Sequence, residues 1–283
     1  MRELRPDVVF AIYLKSAGMV ASMVGHPRLV LSAIGSDVNV KTDSKFWRWM
    51  LRWACGRSAL VHAVSEDLAM TLVACYGVDP ERLVVAPVGL RIEGLSWTSP
   101  EARPGTGQII STRAHRKLYD QPTLVRALAR LKSRGVPFHA TFTHLAEVES
   151  TKQIVQMLDL EAETTFRPGF AQHELSSLLG SHDVYVSSSV SDGTSQSLLE
   201  AMVTGTFPVV SDIPANRPWI ENGRNGLLFP VGDDGALAEC LKEAFRNREI
   251  QTRAAKENRS RVLEFACART LGKRLLEAFV ALP

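Results

Sequence analysis

The stretch DVYVSSSVSDGTSQSLLEAMVTGTFPVVSDIPANRPWIENGRNG, residues 183–226, carries the reading of the whole chain. Its Val-Tyr-Val opening is a β-branched and aromatic run that predicts a strand ending near 187–189. A polar loop containing Gly193 follows, and SQSLLEAM has helix-forming composition with Ser195 as its N-cap. Strand, loop and helix in that order set the N–H groups of Gly193, Thr194 and Ser195 at a helix N-terminus on the carboxyl edge of a parallel sheet, which suits a diphosphate. Asp192 and Glu200 are eight positions apart, so one falls in the loop and the other about a turn and a half into the helix. There two carboxylates can accept hydrogen bonds from hydroxyls of one extended ligand. Spacing alone leaves a second reading open, with Asp192 as a cap and Glu200 as a solvated helix residue.

Outward from this segment, short apolar runs alternate with longer helix-compatible stretches, the pattern of parallel sheets with crossover helices. After residue 107, strands are predicted near 107–112, 138–143, 164–167, 183–188, 207–211 and 226–229. Six strands make a complete doubly wound nucleotide-binding sheet. Before residue 90 there are four, near 7–13, 28–34, 59–65 and 83–88. If this half is the same kind of sheet, roughly 60–90 residues of βαβ-type units are absent from its beginning. The Gly-, Pro- and Ser-rich stretch 90–107 breaks the alternation. The expected domains are therefore a partial N-terminal domain at 1–92, a linker at 93–106, and a C-terminal domain at 107–283, built on the nucleotide-binding type of sheet, that ends in helices near 233–247 and 250–279.

The 283 residues are 45% hydrophobic and 22% charged, an ordinary globular composition that excludes a disordered chain. With 33 basic against 30 acidic residues the balance is too even to imply a nucleic-acid partner. The four cysteines form no C-x-x-C pair, and the N-terminus has no secretory signal core, so a reduced, cytoplasmic setting is expected. No G-x-G-x-x-G follows the first strand of either half, and no G-x-x-x-x-G-K-[ST] occurs, which argues against an oxidoreductase and an NTPase.

With Asp192, Glu200, LLEAM, PVVSD and NGLLFPVGD (225–233) in view, the chain resembles the group 1 family of retaining, nucleotide-sugar-dependent glycosyltransferases, whose GT-B fold pairs two Rossmann-like domains. RPDVV (5–9), SAIGSDV (32–38), AVSEDLA (63–69) and PVG (87–89) resemble the second half of that family's acceptor domain, and STRAHRKLYDQPTLVRALARL (111–131) the start of its donor domain. The resemblance implies an N-terminally shortened enzyme that takes a nucleoside-diphosphate sugar as substrate, without cofactor or metal, and hands the sugar to a glycan, lipid or small-molecule acceptor. It implies that Asp192 holds sugar hydroxyls, that Gly193 and Thr194 supply N–H groups, that Ser197 and Leu198 approach the diphosphate through the backbone, and that Glu200 binds the ribose. Arg113, with Lys117 or Arg116, offsets the leaving diphosphate, and Gly169 and Phe170 border the base. Arg113, Lys117 and Asp192 are the expected catalytic set.

The sequence also departs from the family pattern. Asp192 replaces a usual Glu, Leu118 stands where a Lys is customary five residues after Arg113, and Phe10 and Ile12 occupy a frequent His-x-His. Pro218 precedes Trp219 where a Glu is frequent, and FTHLAEV (142–148) lacks a glycine-bearing turn. These departures motivate a rival reading, a weak or inactive sugar-nucleotide-binding subunit; an epimerase or phosphorylase is a third. His115, His139, His144 and His173 read as polar surface or loop residues. In KFWRWMLRW (45–53), Phe46, Trp49, Met50 and Trp53 share one helical face, and Lys45, Arg48 and Arg52 another. That helix either covers the N-terminal sheet or meets the inner face of a membrane.

Overall fold

Parallel strands buried on both faces need continuous apolar runs, and the structure puts strands where those runs lie. The computed structural model describes residues 5–39, 44–103 and 107–282; residues 1–4, 40–43, 104–106 and 283 lie outside the described residues, including the ends of the expected first domain and linker. In chain order the elements are β1 (Val9–Ile12), α1 (Met19–Val24), β2 (Leu29–Ala33), α2 (Ser36–Asn39), α3 (Lys45–Arg57), β3 (Leu60–Ala63), α4 (Glu66–Tyr76) and β4 (Leu83–Val85). There follow β5 (Gln108–Ser111), α5 (Gln121–Ser133), β6 (His139–Phe142), α6 (Glu149–Met157), β7 (Thr164–Phe166), α7 (Leu175–Gly180) and β8 (Val184–Ser187). The last are α8 (Gln196–Thr204), β9 (Phe207–Ser211), β10 (Leu227–Phe229), α9 (Asp234–Arg246), α10 (Arg248–Phe265) and α11 (Ala268–Val280).

The chain forms two units, each built on a parallel sheet. The first holds Met1–Arg91, Asp192–Thr194 and Phe265–Pro283, around a sheet of order β1-β2-β3-β4. Leu29, Leu31 and Val61 meet Leu51 and Ala54 of α3 and Leu68 and Leu72 of α4 on one face. Asp37, fully buried, closes the turn after β2: its carboxylate accepts from the N–H groups of Leu14 (2.8 Å), Ile34 (3.1 Å) and Gly35 (3.0 Å).

The second unit comprises Ile92–Ser191 and Ser195–Glu264, with strand order β10-β9-β8-β5-β6-β7. From β5 the chain winds outward through β6 and β7, returns to pair β8 with β5, and winds the other way. That reversal is a topological switch point, and it opens a crevice at the carboxyl ends of β5 and β8. Leu124, Leu128 and Leu131 of α5 and Leu237 and Leu241 of α9 pack on Ile109, Val184, Val186 and Val209. Each unit is thus a mixed α/β layer structure, as the alternation of runs predicts.

Three expectations about organisation are corrected. The helix expected over 250–279 breaks at Ala266 and Cys267, where Leu90 N–H donates to Ala266 O (2.7 Å) and Ala268 N–H to Leu90 O (2.9 Å). The resulting α11 does not close the second unit. Its Ala278 and Phe279, with Leu282, cover Val8, Val30, Leu60 and Val84 on the other face of the first sheet, because that face is apolar and otherwise wet. Gly89 of the PVG motif permits this crossing: a Cβ there would lie 2.6 Å from Ala268 Cα. Finally, residues 93–103 of the expected linker belong to the second unit, with Leu95 and Arg103 buried. Arg103 donates to the carbonyls of Gly180 (3.0 Å) and Gly205 (2.7 Å), and Thr98 N–H to Thr204 O (3.0 Å). A Gly/Pro-rich composition marked an irregular path here, and the buried arginine ties that path down.

Asp37→Ala is expected to destabilise the first unit by about 3 kcal/mol, since it strands buried N–H donors. Urea unfolding followed by tryptophan fluorescence, to which Trp47, Trp49 and Trp53 of α3 contribute, measures this. A loss below about 1 kcal/mol would mean that solvent replaces the carboxylate.

Candidate functional site

The switch point of the second unit is lined by segments that follow β5, β6, β7 and β8. A cavity of about 310 Å³ opens among Thr112, Arg113, Ala114 and Tyr119 after β5, His144 after β6, Phe170 after β7, and Gln196, Ser197 and Glu200 of α8. Its position comes from topology, and its chemistry from Arg113.

Arg113 is fixed from several sides. Its Nη1 donates to Ser195 Oγ (3.1 Å) and Ser197 Oγ (3.0 Å), and its guanidinium lies 4.0 Å from the centre of the Tyr119 ring. Tyr185 Oη, reaching from β8, sits 2.8 Å from Ser197 Oγ. The backbone is held as well, since Gln121 Nε2 donates to Arg113 O (2.9 Å) and to Ser111 Oγ (3.0 Å). A planar cation held in this way pairs well with phosphate oxygens, because little freedom remains to be lost. The first N–H groups of α8 add positive potential on the same side of the cavity, since a helix start offers them no internal acceptor.

Ser195 caps α8 as expected, its Oγ accepting from Leu198 N–H at 3.4 Å. That bond engages the Leu198 N–H, and the Leu198 side chain is buried in the core. Ser197 lines the cavity. Glu200 lies one turn further along α8 in the same wall; burial pushes its pKa up to about 7, against the opposing pull of Arg113. The alternative reading of Glu200 as a solvated helix residue does not fit its half-buried side chain. A carboxylate kept this close to neutrality has lost much of its water and gains from ligand hydroxyls that donate to it.

Of the remaining expected residues, Phe170 lines this cavity and the others do not. Asp192, Gly193 and Thr194 belong to the first unit, where Thr194 Oγ1 donates to Val64 O (2.8 Å). Gly193 N–H turns back to Asp192 Oδ1 (2.9 Å), and a Cβ on Gly193 would come within 2.1 Å of Ile34 O, so only glycine fits there. Neither Arg116 nor Lys117 lines the cavity. Arg116 is exposed and paired with Glu147 at 3.2 Å, and Lys117, also exposed, opens a 3-10 turn that swings Tyr119, rather than a lysine, onto Arg113. Phe170 borders the cavity, its ring 6.2 Å from that of His144, while Gly169 is exposed beside it.

Sequence reasoning missed Tyr119 and His144. The signal for Tyr119 was the displaced lysine spacing itself, whereas His144 shows no spacing pattern and reaches the site through a left-handed backbone (φ 65°) after β6. His115 lies in a loop, one of the two places expected for it, and is buried rather than on the surface, 2.9 Å from Thr151 Oγ1, where burial lowers its pKa. Among the described residues no group of three or more His, Cys, Asp or Glu side chains is placed to hold a metal ion.

Residues 100–261 match the family described as "Glycosyl transferases group 1". The chain belongs to that family. Residues 1–93 match a second family description, "Glycosyltransferase Family 4". Among curated proteins, it is 30% identical over 155 residues to a Bacillus subtilis (strain 168) protein provisionally named glycosyltransferase EpsD, covering 54% of this chain and 40% of that one. It is 28% identical over 205 residues to the D-inositol 3-phosphate glycosyltransferase of Pseudarthrobacter chlorophenolicus, covering 67% and 47%. The chain thus spans about half the length of the curated relatives it matches. The crystal structure of Anabaena Alr3699/HepE in complex with UDP and glucose superposes with a TM-score of 0.82 at 19% identity, over 98% of this chain and 78% of that one. That likeness establishes the GT-B fold for this member of the group 1 glycosyltransferases.

The raised pKa of Glu200 makes a stability prediction with a definite sign. Folding holds the proton more tightly than the unfolded chain does, so the group's contribution is intact below about pH 4.5 and is lost as pH rises through about 7. Glu200→Gln is therefore expected to unfold at a higher temperature than the parent at pH 8, with no such gain at pH 4.5. A mutant equal to the parent at pH 8 would show that Glu200 is well solvated.

Proposed function

We propose that this chain provides the donor site of a retaining glycosyltransferase and transfers a sugar from a nucleoside diphosphate to an acceptor hydroxyl of a glycan, lipid or small molecule. The observation that carries this is the fixed Arg113 guanidinium at the start of α8 with Glu200 one turn below it in the same cavity. The spacing fits a diphosphate at Arg113 and ribose hydroxyls on Glu200. Phe170 and His144 also line the cavity, and on this reading the base lies against them. Asp192 holds sugar hydroxyls on this reading. The nucleotide sugar is a substrate, and no further cofactor enters the proposed step.

In that step the bond between the anomeric carbon and the diphosphate oxygen breaks, and its electron pair leaves on the phosphate. Arg113 and the α8 N-terminus stabilise the charge as it develops, at a site already oriented for it. The acceptor oxygen attacks from the face the phosphate leaves, its proton passes to a departing phosphate oxygen, and configuration is retained. A group 1 family assignment, the Anabaena neighbour crystallised with UDP, and the cavity at the switch point support this reading.

Calorimetry with UDP and with uridine tests the site. Arg113→Ala is expected to weaken UDP roughly 10- to 100-fold while leaving uridine nearly unchanged, because the lost partner is phosphate. Equal losses for both ligands exclude the phosphate role. Glu200→Gln is expected to weaken both by roughly 10-fold or more, and unaltered affinity in that mutant excludes the ribose role. Acceptor-dependent release of nucleoside diphosphate from a nucleotide sugar tests the transfer itself.

A further inference from the structure

Helix α3 carries two apolar surfaces, and the first unit uses only one. Leu51, Ala54 and Cys55 are buried against the sheet, and Trp47 and Met50 pack beside them. Phe46 and Trp49, which the sequence placed on the same face as Met50, instead stay 60% exposed each. At 100° per residue they lie with half-buried Trp53 on a stripe to one side of the core-facing residues, and Lys45, Arg48 and Arg52 lie on the other side. A helix that only covered the sheet would need the first stripe and not the second.

Helix α1 packs against α3 and extends the exposed apolar surface. Arg57 Nε donates to Ser22 O (3.2 Å), and its guanidinium lies 5.3 Å from the Trp53 ring. Val20, Met23 and Val24 of α1, at i, i+3 and i+4, are all more than half exposed. Charge singles out one kind of partner for this surface. Helices α1 and α3 together carry Lys45, Arg48, Arg52 and Arg57, a net +4 where the whole chain is +3. Asp37 is buried in its turn, and neither α1 nor α3 contains an acidic residue.

We propose that α3, with α1 beside it, docks this chain on an anionic lipid bilayer, with Phe46 and Trp49 entering the headgroup region and Lys45, Arg48 and Arg52 held at the lipid phosphates. Aromatic residues favour that interface, and each basic residue near an anionic surface adds a salt-sensitive attraction. The contact is peripheral: among the described residues no helix is long and apolar enough to cross a membrane.

Co-sedimentation of the whole chain with vesicles tests this. Binding is expected to vesicles of equal phosphatidylcholine and phosphatidylglycerol, with a blue shift of tryptophan emission and weakening by salt, and far less to phosphatidylcholine alone. The exposed double variants Phe46→Ser/Trp49→Ser and Arg48→Glu/Arg52→Glu are each expected to lower partitioning roughly tenfold or more, with thermal melts like the parent's. The proposal is overturned if the parent ignores anionic vesicles or binds both kinds alike, or if folded variants bind as the parent does. It is equally overturned if ultracentrifugation shows a dimer of this chain that Phe46→Ser/Trp49→Ser converts to monomer.

Discussion

Everything at the candidate site follows from the parallel pairing of β5 with β8. Because β6 and β7 occupy the other side of β5, the chain must come back to place β8, and the segments leaving β5 and β8 diverge to opposite faces. No side chain needs to carve the resulting crevice. The two segments that leave it, 112–120 and 188–195, supply Arg113, Tyr119 and the Ser195 cap, and strand-end hydrogen bonds hold them together. Ser188 Oγ donates to Tyr119 O (2.9 Å), and Val190 N–H donates to Leu118 O (2.9 Å).

Within that frame, one cation is positioned by many weak contacts. Two hydroxyls, an aromatic face and a glutamine on its carbonyl fix Arg113, and each is a modest interaction alone. Together they remove the rotamer freedom that an exposed arginine would lose on meeting a phosphate. Glu200 is the counterpart: its burial disfavours the charged form, and on the proposed reading ribose hydroxyls that donate to it offset that cost.

The first unit obeys a different constraint. A parallel sheet must be covered on both faces, and the sequence preceding residue 91 supplies helices α3 and α4 for one of them. The other is covered from the opposite end of the chain by α11, admitted where Gly89 lets the Ala268 backbone pass. The motif PVG is thereby explained by contact distance as well as by resemblance. The surplus apolar stripe on α3 stands outside this bookkeeping, which is why it points to a partner.

Local pattern sufficed for much of this. The six strands and their order of appearance in the second unit, and the Ser195 cap, were legible because each depends on residue types a few positions apart. So was the family, which rests on strings such as LLEAM and NGLLFPVGD. The contact of Arg113 with the α8 start joins remote segments and came from the fold. Tertiary structure decided what depends on direction and distance between remote segments. It decided that α11 leaves its neighbours in sequence for the first sheet, that Lys117 gives way to Tyr119 at the cavity, that His144 enters from β6, and that Phe46 and Trp49 stay in solvent. A sequence specifies which side chains are apolar or charged and how they repeat along an element; only packing determines which of two apolar faces is covered, and by which part of the chain.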